Sequence, residues 1–244
     1  MTTLVVGASG ATGRLLVAQL LARGQPVRAI LRSPGALRSH QDEAGLTVIQ
    51  ASVPDLDDAD LARHVAGCTA VASCLGHTPT LKGIYGAPRR LVTDAVRRLC
   101  GAIAANRPSR PVRFVLMNTA GNSNRDLREP LSLAQRGVVG LVRALVPPHA
   151  DNEQAADYLR TVIGQDHPAV QWAVVRPDSL HDHDAVSDYE AHPSPIRSAI
   201  FDAGHTSRIN VAHFMAELAT GGEAWTRWRG QMPVLYDIAP RPAA

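Results

Sequence analysis

One segment constrains this chain more than any other: Gly7-Ala8-Ser9-Gly10-Ala11-Thr12-Gly13, set between an apolar run at 3–6 and apolar residues at helical spacing over 15–21. Gly24 follows that stretch, where a helix C-terminus favours glycine. Strand, glycine turn and helix in this order give each glycine its own task. Gly7 permits the tight turn, Gly10 lets the backbone approach a ligand, and Gly13 allows the helix to pack closely on the strand. The N–H groups opening the helix have no partners within it and carry partial positive charge, so they suit an anion. A glycine pattern alone is weak evidence. In this context it points to a dinucleotide pyrophosphate.

The second apolar run, 27–31, ends at Arg32, which lies 19 residues after Gly13. Sites that prefer NAD place an acidic residue about 20 residues on, to hold the ribose 2′-hydroxyl. No acidic residue occurs between Val27 and Gly35. A guanidinium matches a 2′-phosphate through paired charge-assisted hydrogen bonds, and Ser33 adds a hydroxyl. The expected cofactor is therefore NADP(H), with a solvated surface arginine as the plain alternative for Arg32.

Further strands are expected at 46–49, 70–75, 112–117 and 170–175, with helices at 57–65, 89–105 and 152–163. Strands alternating with helices, and strands that are apolar throughout, indicate an α/β fold with a parallel sheet covered on both faces. The expectation is a Rossmann-type doubly wound sheet in a single domain over 1–244, with a small C-terminal substrate-binding elaboration. Two segments break the rhythm, 122–150 and 178–206, the first with an apolar helical stretch at 138–146. Both begin at strand ends, where ligands of such sheets sit, so they are candidates for the pocket walls.

Composition narrows the partners. A net charge of +3 without a dense Lys/Arg stripe does not indicate nucleic acid, so no nucleic-acid partner is expected. No apolar run approaches the length of a membrane span. Cys68, Cys74 and Cys100 have no metal-binding spacing, and the chain opens on no secretory signal, so a cytoplasmic protein is expected. A small-molecule substrate is the expected partner, and either a monomer or a homodimer is open. His181, Asp182, His183 and Asp184 crowd one loop, but consecutive residues do not define a tetrahedral site, so no metal is expected. Trp225, Trp228 and Met232 are expected to cap the core or the pocket rim.

These pieces resemble atypical short-chain dehydrogenase/reductases of the NmrA-like and biliverdin/flavin-reductase type. The resemblance rests on the glycine turn, Leu31-Arg32-Ser33-Pro34, Ala51-Ser52-Val53, Cys74-Leu75-Gly76, Asn118-Thr119-Ala120-Gly121, Val175-Arg176-Pro177 and 207–212. It implies that Ser52 and Val53 flank the adenine, Leu75 and Gly76 run along a ribose, and Pro177 lies near the nicotinamide, with Asn118 also among the cofactor-binding residues. Thr119 matches the family's Ser/Thr position, while its Tyr-x-x-x-Lys pair is absent: Pro148 and Asn152 stand there. The catalytic set expected from this chain is Thr119, Asn118 and His77, with Tyr85, His149, His181 and His183 as further proton sources. The resulting expectation is an NADPH-dependent reductase for a small cyclic or conjugated molecule. The alternatives are an NmrA-like sensor that binds NADP without turnover, and an enzyme for dehydration, isomerisation or cyclisation.

Overall fold

The computed structural model describes residues 1–238 apart from 41–42, 79, 128 and 130–132, and not the side chains of 34, 39, 82, 133–136 and 144. In chain order the elements are β1 (Thr2–Val6), α1 (Ala11–Ala22), β2 (Val27–Leu31), β3 (Leu46–Gln50), α2 (Asp58–Val65), β4 (Cys68–Ser73), α3 (Leu81–Tyr85), α4 (Leu91–Ala105) and β5 (Val112–Met117). They continue as α5 (Leu133–Leu145), α6 (Pro147–Tyr158), a π-helical turn at 159–163, β6 (Val170–Pro177), β7 (Ser179–His181), β8 (Tyr189–His192), β9 (His205–Ser207), α7 (Arg208–Thr220), α8 (Glu223–Trp228) and β10 (Val234–Asp237).

Eight strands form one sheet in the order β3-β2-β1-β4-β5-β6-β10-β8, parallel throughout except that β8 runs antiparallel to β10. The order reverses at β1, whose neighbours are β2 and β4. That switch point opens a crevice beyond the carboxyl ends of β1 and β4. The antiparallel edge strand, and the small β7–β9 pair beside it, are additions to the parallel sheet that the sequence pattern conveys.

Each face of the sheet has its own core. One holds Leu16, Val17 and Leu20 of α1 against Val211, Met215 and Leu218 of α7. The other holds Leu61, Val96, Leu99, Ile103 and Leu159 over Phe114 and Trp172. Helix α7 buries residues around its whole circumference, Ile209 to Ala219, as a helix enclosed on all sides must. Each fully buried aliphatic side chain of these layers contributes roughly 1.5–3 kcal/mol. Trp225 and Trp228 belong to the α7 side of the core and Met232 to the other, so none of the three lies at a pocket rim. Among the described residues no helix is long and apolar enough to cross a membrane.

Helix boundaries follow from local chemistry. Asp57 caps α2, accepting the Asp60 N–H at 2.6 Å. Helix α6 starts five residues earlier than the apolar pattern indicates, because Pro147 and Pro148 at its first turn need no N–H partner. Segment 122–150 is tied to the sheet by Arg176 and Glu129. The guanidinium donates to Glu129 Oε1 at 2.7 Å, to Asn122 O at 2.7 Å and to Met232 O at 2.7 Å. Arg176 is fully buried. Four residues of that segment, 128 and 130–132, lie outside the described ones.

Candidate functional site

The glycine turn is shaped by contacts that exclude side chains. Gly7 has φ +74°, and a Cβ on it would lie 2.5 Å from Cys74 C. A Cβ on Gly13 would lie 2.2 Å from Gly7 O, so only glycine lets α1 sit this close to β1. Gly10 differs. The only atom a Cβ there would meet is Gly7 O, at 3.3 Å, and its open side faces a cleft of about 570 Å³. Gly10 opens α1 without any side-chain cap, which leaves the N–H groups of the first turn to a ligand.

That cleft is lined by Gly7, Ser9, Gly10, Ala11, Arg32, Ser52, Val53, Leu75 and Gly76, together with apolar residues of β2 and α4. Among the described residues no Asp or Glu lines it. Arg32 is exposed at the end of β2 and makes no ion pair or hydrogen bond with any described residue. A backbone cradle at a helix N-terminus with a free cation beside it fits a dinucleotide that carries an extra phosphate. Thr12 and Gly13 are buried behind the turn, and Ser33 stands exposed next to Arg32; none of the three lines the cleft.

The cleft continues past Cys74–Thr78 into a space bordered by Met117, Asn118, Pro148 and Asn152. Beyond Asn118 lies a cavity of about 380 Å³. Its walls come from three segments: Asn118, Thr119 and Gly121 after β5; Val139, Val142 and His149 of α5 and α6; and Pro177, Asp178, Leu180 and Ile200 after β6. Both long segments therefore meet at one cavity. Asn118 is fixed in place. Its Oδ1 accepts from Thr119 N at 2.9 Å and from Asn122 Nδ2 at 2.6 Å, and its Nδ2 donates to Asn152 O at 2.9 Å. Thr119 Oγ1 accepts from Gly121 N at 3.2 Å and keeps its own proton free to donate.

A sequence model of a family described as NAD(P)H-binding matches residues 7–221, the glycine turn and everything around the cleft. The chain belongs to this NAD(P)H-binding family. No curated protein matches it in sequence. Among solved structures, the chain is similar to an anaerobillin reductase from Escherichia coli, with 20% identity, a TM-score of 0.68 and 100% of both chains covered. It is also similar to a short-chain dehydrogenase/reductase from Veillonella parvula in complex with NADP, with 17% identity, a TM-score of 0.67, and 97% of this chain and 94% of that one covered. The oxidoreductase ylbE from Lactococcus lactis gives 15% identity and a TM-score of 0.68, over 97% of this chain and 91% of that one. At these identities the likeness is one of fold.

Within this family member the candidate proton sources separate sharply. His77 is held on both sides, Nε2 2.8 Å from Asp151 Oδ2 and Nδ1 3.1 Å from Gly83 O. Neither ring nitrogen is left for a substrate. Asp151 also accepts the Val92 and Thr93 N–H groups at 2.8 and 2.9 Å, so it caps α4 from a distance. His77 lines the passage beside the cleft, and its bond to Asp151 joins it to a clamp between α4 and α6. The clamp is invisible in the sequence because its members are 74 residues apart. The Tyr85 hydroxyl donates to Leu145 O at 3.3 Å, His181 Nε2 lies 3.4 Å from Asp237 Oδ2, and His183 Nδ1 lies 2.8 Å from Ala185 O. None of these three lines the cavity. His149 does, together with Thr119. Burial lowers the His149 pKa and Arg143 lowers it further, against the opposing pull of Glu153. Cys74 lines the cleft, but burial pushes its thiol up to about 12, so it is no nucleophile. Among the described residues no three His, Cys, Asp or Glu groups gather to hold a metal.

Proposed function

We propose that this protein is an NADP(H)-dependent reductase of a small cyclic or conjugated molecule, working without a catalytic tyrosine. The observation that carries this reading is a row of three adjoining pockets with shared lining residues, from the free Arg32 guanidinium, past the glycine turn, to the cavity at Thr119. Gly7, Ser9, Gly10 and Ala11 would hold the pyrophosphate, Arg32 the 2′-phosphate, Ser52 and Val53 the adenine, and Leu75, Gly76 and Pro177 the nicotinamide half. When bound, NADPH supplies hydride. The chain's own part is alignment and charge control. Asn118 fixes the loop that presents Thr119, and the Thr119 hydroxyl donates to the substrate oxygen. Val139, Val142, Leu180 and Ile200 give the cavity apolar walls that take a flat ring and exclude water.

Pro148 and Asn152 border the passage to the cavity where the family's phenol and amine would stand. A substrate whose product anion is stable, such as a quinone, is favoured over a plain ketone, whose alkoxide needs an acid. The test is NADPH oxidation with a quinone and flavin panel beside a panel of simple ketones, together with titration of both nucleotides by fluorescence. Quinone turnover with preference for NADPH is expected, reduced several-fold by Thr119→Ala. Equal use of NADH and NADPH, or efficient ketone reduction undiminished by Thr119→Ala, overturns the reading. Tight NADPH binding with no turnover on any acceptor shifts it to a sensor.

A further inference from the structure

We propose that His149, positioned by Glu153, is the group that hands a proton to the substrate beside Thr119, replacing the missing phenol. This rests on the reductase reading above. The space that a Cβ on Gly121 would fill has His149 Cε1 and Thr119 Oγ1 each at 3.7 Å, so one small atom there touches both. The two side chains come from different segments, α6 and the loop after β5, and meet only at this cavity.

The two ring nitrogens of His149 are in unlike surroundings. Nε2 is buried without a hydrogen-bond partner, 3.7 Å from Glu153 Oε1 one helical turn along α6. Among the described residues Nδ1 has no hydrogen-bond partner, and it is not one of the buried unpartnered atoms, so it is the open nitrogen. Glu153 is itself held, accepting from Arg143 Nε at 2.6 Å and Arg143 Nη2 at 2.7 Å, with Arg125 Nη2 at 3.7 Å. A proton-transfer group whose far nitrogen faces a fixed carboxylate is the usual construction of an acid–base pair. The charged groups around the ring are Glu153 on α6, Arg143 on α5, Arg125 after β5, and Asp178 across the cavity. The carboxylate of Asp178 is already occupied, accepting Ser179 N at 2.8 Å and Gly204 N at 2.9 Å.

The step balances as follows. The acceptor gains hydride with its electron pair from NADPH, which departs as NADP⁺. The oxygen left negative takes the proton from Nδ1 of the His149 imidazolium, and the neutral ring recovers a proton from solvent. The donating form exists below the histidine's pKa, which burial holds under the usual imidazole value. Reduction therefore speeds up as pH falls and levels off once the ring is charged.

The experiment uses the full chain with menadione as acceptor, over pH 5–8. The wild type is expected to show this acid limb. His149→Gln is expected to lose the limb and to run roughly a hundredfold slower at the plateau, with NADPH affinity and the circular dichroism melt unchanged. A second readout needs no turnover. With ¹³C-labelled histidine, the His149 Cε1–H resonance should titrate below the usual imidazole range, titrate lower still in Glu153→Gln, and shift when menadione is added to the NADP⁺-loaded protein. An active wild type whose His149→Gln variant keeps the limb and the rate overturns the histidine assignment alone, as does a resonance that menadione leaves in place. A wild type that binds NADPH but reduces nothing overturns the reductase reading, and this assignment with it.

Discussion

The two ends of the cleft are built from different material. At the glycine turn the lining is backbone: Gly7, Gly10 and the first N–H groups of α1, all within one strand–turn–helix unit. At the far end it is side chains, Asn118, Thr119, His149 and Leu180, drawn from segments dozens of residues apart. The first end depends on close backbone approaches at Gly7 and Gly13 that a Cβ would obstruct, and on the left-handed φ of Gly7. The second depends on side chains brought together by the packing of distant segments, with Asn118 held by three hydrogen bonds. The cofactor end is thus the common part of such a fold, and the substrate end the individual part.

The sharpest way to break the far end without touching the near one is to remove its anchor. Glu129→Ala leaves the fully buried Arg176 guanidinium without a counter-charge. A loss of about 3–5 kcal/mol in chemical denaturation is expected. If the 122–150 segment is held in some other way, the loss will stay near 1 kcal/mol, the scale of an ordinary hydrogen bond.

The near end is tested by Gly10→Val. Its Cβ would press on Gly7 O at 3.3 Å, a contact that a small shift relieves, while the rest of the side chain would occupy the path of the pyrophosphate. NADPH affinity should fall by roughly a thousandfold, about 4 kcal/mol, while the melting temperature moves by only a few degrees. Retained tight binding by the folded variant would place the phosphates elsewhere. Gly13→Ala should behave oppositely, losing the fold first, because its Cβ would meet the Gly7 carbonyl at 2.2 Å.

A smaller effect separates the two nucleotides. Arg32→Ala should weaken NADPH by about 1.5–3 kcal/mol, the scale of one hydrogen bond to a charged group, and leave NADH unchanged. Calorimetric titration of both cofactors reads this directly, and equal losses for the two would remove the 2′-phosphate from the account.

The sequence by itself determined the near end and the frame. Three glycines at fixed spacing, Arg32 at the close of the second strand, and the repeated strand–helix rhythm are local signals. Their physics acts within a few residues of chain, so they could be read without knowing what packs on them. Even the strand limits moved little: β2 and β5 stand where the apolar runs put them, and β4 shifts by two residues toward Cys68. What only the tertiary structure decided is which polar groups are spent and which are free. His77 and His149 look alike in sequence, each a histidine beside a glycine- or proline-rich bend. One is clamped between Asp151 and Gly83, 74 and six residues away, and the other lines the cavity beside Thr119. The antiparallel β8 edge and the burial of Arg176 against Glu129 were hidden for the same reason. Burial and hydrogen-bond partners are properties of neighbours in space, and for these residues the neighbours are far apart in the chain.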